Sequence, residues 1–152
     1  AIGRRATQLE RAAMMGADEC VCSPADESPV AAVRELTGGR GADVVIEAVG
    51  RPEAWQNAVE LVRKGGTINF FGGCPQRTTL PLDTNLLHYS EITIKASFHH
   101  TPAFIRQAVD LIVLGEVTAR QFVNREEPLT NILEVMRHLM SHNGHLKTAI
   151  IP

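Results

Sequence analysis

The residues whose types and spacing could do chemistry are few. His138, His142 and His145 are spaced like metal ligands. Asn143 and Gly144 interrupt the helical pattern between them, however, so only two share a face, and histidines in a last helical turn are favoured by the helix dipole alone. Cys20 and Cys22 alternate on an extended segment and point to opposite sides, which argues against a shared zinc. Cys74 follows a glycine pair; it is either a redox-sensitive thiol or a small apolar loop residue, and the second reading is the simpler. Glu47 sits inside the apolar run DVVIEAV (43–49). A carboxylate there needs a partner, and hydrogen bonds from neighbouring loop amides are a better expectation than catalysis.

The elements that must position these groups can be read from periodicity and turn residues. Residues 6–15 form a short amphipathic helix stopped at Gly16, and 19–22 a short extended stretch broken by Ser23 and Pro24. Val30, Val33 and Leu36 mark a second helix, ended by the glycines at 38, 39 and 41. The 43–49 run is short, β-branched and glycine-flanked, which predicts a strand buried on both faces. A helix then runs from Pro52 to Arg63 with Ala54, Ala58, Leu61 and Val62 inward; Gly65 and Gly66 end it, and 67–71 is another buried-type strand. Strand, helix and strand at this spacing make a βαβ unit with parallel strands. Beyond the turn-rich stretch 72–83, residues 92–98 give a further strand and Phe104, Ala108, Leu111 and Ile112 a helix ending at Gly115. Pro128 and Thr130 open a last helix that closes at Asn143 and Gly144, leaving 147–151 as a terminal strand. In an open parallel sheet ligands bind outside the carboxyl ends of the strands, so the residues following each strand are the ones to watch.

Composition narrows the partners. At 152 residues the chain can bury about 70% of its unfolded-chain surface without disulfides or metals. A net charge of −2 gives no case for nucleic-acid binding. No apolar run approaches the roughly 18 residues of a membrane span, and the arginine-bearing start is not followed by a signal-peptide core. Three cysteines at no disulfide spacing fit a reducing compartment, so the expectation is a cytoplasmic protein without nucleic-acid or membrane partners.

Four segments, GRRATQLERAAMMGADE (3–19), GADVVIEAVGRPEAWQNAVELVRKGGTINFFGG (41–73), ITIKASFHH (92–100) and LKTAIIP (146–152), together cover nearly the whole chain. In this order and spacing the chain resembles the medium-chain dehydrogenases, the family of zinc alcohol, sorbitol and threonine dehydrogenases. The resemblance implies an α/β fold: a partial Rossmann-type, doubly wound parallel sheet lacking its first strand and most of its second, with a C-terminal helix and strand. It also assigns sites. Gly3 takes the place where an NAD-using member carries an acidic residue for the ribose hydroxyls, and Arg4 and Arg5 follow. A guanidinium offers a 2′-phosphate a charge-assisted fork, so NADP is expected over NAD; two solvated surface arginines are the alternative. Val49, Gly50 and Arg51 would lie against the adenosine, Phe71, Gly72 and Gly73 would bring backbone to the nicotinamide edge, and Ser97, Phe98 and His99 would offer main-chain contacts to the carboxamide. Lys147 stands where members often place an arginine on the pyrophosphate, a point charge replacing a planar fork.

The same resemblance implies what this stretch does not carry. The GxGxxG fingerprint and the zinc ligands of the family have no counterpart here. The expectation is therefore that residues 1–152 are an incomplete dinucleotide-binding domain, with 128–152 returning toward a catalytic domain that holds the zinc. With strand order 3-2-1-4-5-6, two places stay unfilled between 19–22 and 43–49, and the isolated polypeptide is expected to be partly molten or aggregating and to bind NADPH poorly. The implied parent is an NADP-linked, zinc-dependent oxidoreductase acting on a secondary alcohol or polyol, a homo-oligomer (dimer or tetramer), with zinc as Lewis acid. A zinc-free quinone or enoyl reductase of the same superfamily and a non-catalytic nucleotide-binding module are the alternatives.

Overall fold

The computed structural model describes residues 1–24, 27–141 and 147–152, which form two compact units, Ala1–His99 and His100–Pro152. The first is built on a three-stranded parallel sheet of β3 (Ala42–Glu47), β4 (Val62–Phe70) and β5 (Thr93–Ala96), in that order across the sheet. Val44 to Glu47 pair with Thr67 to Phe70, and Thr67 to Phe70 with Thr93 to Ala96. Helix α3 (Pro52–Leu61) connects β3 to β4. It begins where its sequence allows: Arg51 is extended, Pro52 needs no amide partner in the first turn, and Glu53 meets the positive end of the dipole. Its inner face supplies Ala58 and Val59 to a core with Val62, Ile68 and Phe70, against which Val45, Trp55, Leu86, Leu87 and Ile92 pack.

The helix stops two residues earlier than its pattern predicts. β4 starts at Val62, pairs there with Ala42, and shifts register before Thr67, so Gly65 and Gly66 lie within the strand instead of ending the helix. Gly66 has to be small: a Cβ would sit 2.5 Å from Val62 Cγ2 and 2.9 Å from the Arg63 carbonyl. Helix α4 (Thr84–Tyr89), which the periodicity did not announce, is opened by Asp83, whose Oδ1 accepts from the amides of Asn85 and Leu86 at 2.9 and 3.2 Å.

Burial of β3 on both faces is not observed. Val45 and Glu47 face α3, but Val44 and Ile46, which the pleat turns to the other side, are 60% and 66% exposed. At the amino end of β3, Asp43 holds both Arg40 and Arg63, and those hydrogen bonds, Arg63 first, keep its carboxyl below the usual range.

A second, two-stranded sheet in the same unit pairs β1 (Ile2–Gly3) with β2 (Val21–Cys22) in parallel. Of the two places expected to be empty beside 19–22, the first is thus filled by Ile2–Gly3. Helix α1 (Ala6–Met14) joins them and ends as predicted, with Gly16 at φ +99° and the Ala17 amide returning to Ala12 O at 3.0 Å. Helix α2 (Val30–Leu36) is tied to α3 by Arg34, whose guanidinium donates to the carbonyls of Gly39, Arg40 and Glu60 at 3.0, 2.8 and 2.8 Å.

The second unit contains α5 (Pro102–Val113), capped by Thr101 and followed by Gly115 at φ +78°, then α6 (Ala119–Phe122), and β6 (Val123–Pro128), paired in parallel with β7 (Lys147–Ile151). A single 3-10 turn, Leu129–Asn131, leads into α7 (Ile132–Met140). β6 is a strand the sequence reading does not contain. Two of its three less exposed positions are polar: Arg125 Nη2 pairs with Glu127 Oε1 at 2.6 Å, and Asn131 Nδ2 donates to Glu127 Oε2 at 2.8 Å. The Asn131 bond, with the Arg125 charge, holds the Glu127 carboxyl below its ordinary range. The expected helix closure at Asn143 and Gly144 lies outside the described residues. No helix among the described residues is long and apolar enough to cross a membrane.

Candidate functional site

Because β3, β4 and β5 run parallel, their carboxyl ends share one edge, and the chain leaves that edge through two tightly interlocked turns. Glu47, the last residue of β3, is 5% exposed. Its Oε1 accepts from the amides of Val49 and Gly50 at 2.7 and 2.9 Å. Its backbone carbonyl accepts from Phe71 and Gly72, both at 2.8 Å. The loop-amide expectation for this carboxylate is therefore met, and the cost of burying Oε1 is offset by those two hydrogen bonds. Oε2 is buried without a hydrogen-bond partner among the described residues.

The glycines at this edge are dictated by space. A Cβ on Gly50, which sits at φ +73°, would lie 2.5 Å from Gly73 O. On Gly72 it would lie 2.4 Å from Gly50 N and 2.8 Å from both Val49 N and Glu47 Oε2. Backbone thus meets backbone across the two turns. Trp55 of α3 fixes the second turn from below: its Nε1 donates to Gly72 O at 2.9 Å while its ring stacks on Phe70, centroids 3.7 Å apart and planes 8° from parallel. Sequence reasoning missed Trp55. The available signal was an indole N–H near the start of a half-buried helix, a donor that must find an acceptor when the ring is packed away.

The structure brings together Val49, Gly50 and Arg51 after β3, Phe71, Gly72 and Gly73 after β4, and Ser97, Phe98 and His99 after β5. Val49 and Phe71 are exposed apolar side chains, and Phe98 is 86% exposed with its ring 3.8 Å from that of His99. The Ser97 amide is already committed to Phe70 O at 3.1 Å, and its hydroxyl donates to Asn69 Oδ1 at 2.9 Å, so its carbonyl is the main-chain group left for a ligand. His99 takes φ +63°, in the left-handed region that non-glycine residues enter seldom and histidine more readily than most. Chemically this edge offers main-chain polar groups, apolar surface and close backbone approach. Such an edge can hold a flat organic ligand.

Gly3 ends β1, and Arg4 and Arg5 after it are exposed. A Cβ on Gly3 would come within 3.1 Å of Leu9 Cδ2, so a larger residue there requires the Leu9 side chain to give way. Lys147 opens β7 of the second unit.

Other candidates resolve plainly. Cys20 and Cys22 are exposed free thiols. His138 lies in the last turn of α7, 3.9 Å from Glu134, whereas His142 and His145 fall outside the described residues. Among the described residues no group of three His, Cys, Asp or Glu could hold a metal. Burial, then the negative charges of Glu47 and Glu53, push the Cys74 thiol up. A raised thiol pKa leaves less thiolate at neutral pH, so iodoacetamide should alkylate Cys74 at pH 7.5 more slowly than a cysteine in an unstructured peptide, and the rate should climb as pH rises into the alkaline range. Equal or faster labelling at pH 7.5 would contradict this assignment.

A family model described as zinc-binding dehydrogenase matches residues 1–113. The chain is 27% identical over 146 residues to sorbitol dehydrogenase of Bacillus subtilis (strain 168), a match covering 95% of this chain and 40% of that protein. It is 40% identical over 88 residues to alcohol dehydrogenase 2 of Caenorhabditis elegans, 58% of this chain and 24% of that one. Among solved structures, benzyl alcohol dehydrogenase from Acinetobacter calcoaceticus superposes with a TM-score of 0.86 at 27% identity, over 99% of this chain and 41% of its own. A zinc-binding dehydrogenase of Sinorhizobium meliloti 1021, solved bound to NADP, superposes with a TM-score of 0.83 at 26% identity, over 99% of this chain and 44% of its own. The chain spans about two-fifths of the length of the sorbitol and benzyl alcohol dehydrogenases it matches.

Proposed function

We propose, since the chain belongs to the zinc-binding dehydrogenase family, that it is the cofactor-holding part of an oxidoreductase that binds NADP in preference to NAD and acts on a secondary alcohol or polyol. The observation that carries this is the pair of interlocked turns at the carboxyl ends of a parallel sheet, where Gly50 and Gly72 let backbone pack on backbone and Gly73 is exposed with nothing within 4 Å of the place its Cβ would take. A nicotinamide dinucleotide is the ligand this reading assigns to that edge. When bound, it supplies hydride acceptance or donation. This chain's residues would bind and orient it: Val49 and Phe71 offer apolar surface, the Gly73 amide and the Ser97 carbonyl offer hydrogen bonds, and Glu47, bonded to amides of both turns, keeps them in place. Among the described residues no group of three His, Cys, Asp or Glu could hold zinc, and on this reading the zinc ligands belong to another part of the full-length protein. The exposed Val44 and Ile46 and the position of β3 at the edge of its sheet support further chain covering them in the full-length protein.

The NADP preference rests on Gly3, Arg4 and Arg5. With no carboxylate to repel a 2′-phosphate and guanidinium groups available to receive it, NADPH should bind the full-length protein roughly ten- to hundredfold more tightly than NADH, the range expected for hydrogen bonds to charged groups. Replacing Arg4 and Arg5 together by alanine should erase most of that ratio by weakening NADPH alone. Titration calorimetry on both proteins checks this; NADH binding as tight as NADPH would overturn the NADP assignment.

A further inference from the structure

Trp55 is the only tryptophan of the chain, and its indole does two separable things. The ring fills the core against Phe70, a task another aromatic ring could perform. The Nε1–H leaves the core to bond Gly72 O at 2.9 Å, a task only a donor on that ring can perform. The bond matters because of where it falls. Gly72 and Gly73 are adjacent glycines without side chains to bias the peptide between them, so its orientation must be set from outside. The described peptide bonds include no cis bond, and in a planar trans peptide the carbonyl and the following N–H point in opposite directions. With the Gly72 carbonyl turned toward α3, the Gly73 N–H points away from α3. Gly73 is exposed, and its N–H has no acceptor among the described residues.

We propose that Trp55 is a positioning residue for the ligand edge: through the Gly72 carbonyl it holds the 72–73 peptide so that the Gly73 N–H is presented as a ready donor to an acceptor oxygen of the bound nucleotide. This rests on the nucleotide-binding reading above. Trp55 touches no ligand itself and acts through the peptide it orients. Its contribution is preorganisation, because without the indole bond the di-glycine turn samples other orientations and binding must then select one.

The test uses the full-length protein and two variants. Trp55→Phe keeps a ring on Phe70 and removes only the donor; Trp55→Leu removes both. Fluorescence titration with NADPH, steady-state kinetics and thermal melting are measured on all three. For Trp55→Phe the Kd and KM for NADPH should rise roughly three- to tenfold, the loss of one hydrogen bond, with the KM for the alcohol unchanged and Tm within about 2 °C of the parent. Trp55→Leu should lose the same nucleotide affinity and, in addition, melt clearly earlier. Nucleotide affinity in Trp55→Phe equal to the parent's overturns the positioning role while leaving the nucleotide edge intact. A fall in Tm matching that of Trp55→Leu, with both KM values raised together, overturns it in favour of a packing role. A parent protein that binds neither NADPH nor NADH overturns the nucleotide reading and this inference with it.

Discussion

Gly72→Ala is expected to abolish measurable nucleotide binding by the full-length protein and to cost about 3 kcal/mol of stability, the upper end of what forced overpacking does. Gly72 does not sit in the left-handed region, so the objection to alanine is purely spatial: the new methyl would meet Gly50 N at 2.4 Å, Val49 N at 2.8 Å and Glu47 Oε2 at 2.8 Å. Two of those atoms are backbone and the third belongs to a buried side chain, so relief requires the turns to separate. Gly73→Ala is the control. A Cβ there meets nothing within 4 Å, and that variant should fold with near-parental stability. Denaturant melts of the two variants side by side check the pair; indistinguishable midpoints would mean that the contact between the turns is not tight in solution.

The second large effect is expected from Glu47→Leu, which approximates the volume of the side chain and deletes its acceptors. The amides of Val49 and Gly50 would lose their partner at a part-buried site, at about 1–3 kcal/mol each, so a loss of roughly 2–6 kcal/mol is expected. Glu47→Gln retains an acceptor oxygen and should lose about 1 kcal/mol, the scale of one weakened hydrogen bond. The ordering Glu > Gln > Leu, read from unfolding midpoints, is the signature of a carboxylate that pins loops. A leucine variant as stable as the parent would show that the turns are held by something else.

How much of this was legible beforehand depended on whether a residue's role was local. Helix ends were readable because Pro52, Gly16 and Gly115 act through their own φ angles and missing groups. The bonding of Glu47 to loop amides was readable because a carboxylate closing an apolar run has few other recourses. The family resemblance, carried by four segments, is upheld by the match over residues 1–113. Non-local facts were not readable. β6 escaped because only Val123 of its three less exposed positions is apolar; the other two, Arg125 and Glu127, satisfy each other and leave no apolar alternation to read. The start of β4 at Val62 escaped because that residue fits the apolar stripe of α3 as well as the pleat, and only pairing with Ala42 decides between them. The exposure of Val44 and Ile46 escaped for the opposite reason: composition reports a residue suited to burial, while burial itself depends on what lies across from it. Trp55 and the committed Ser97 amide escaped because their partners, Gly72 and Phe70, are 17 and 27 positions away.

The contact between the turns after β3 and β4 has a mechanical consequence. With Gly50 and Gly72 touching main chain to main chain, neither turn can move inward without displacing the other, and Glu47, bonded to amides of both, resists their separation, so the two behave as one stiff lip. If the lip receives a nucleotide as proposed, both halves are already registered before it arrives, and little ordering of these turns is left for binding to supply.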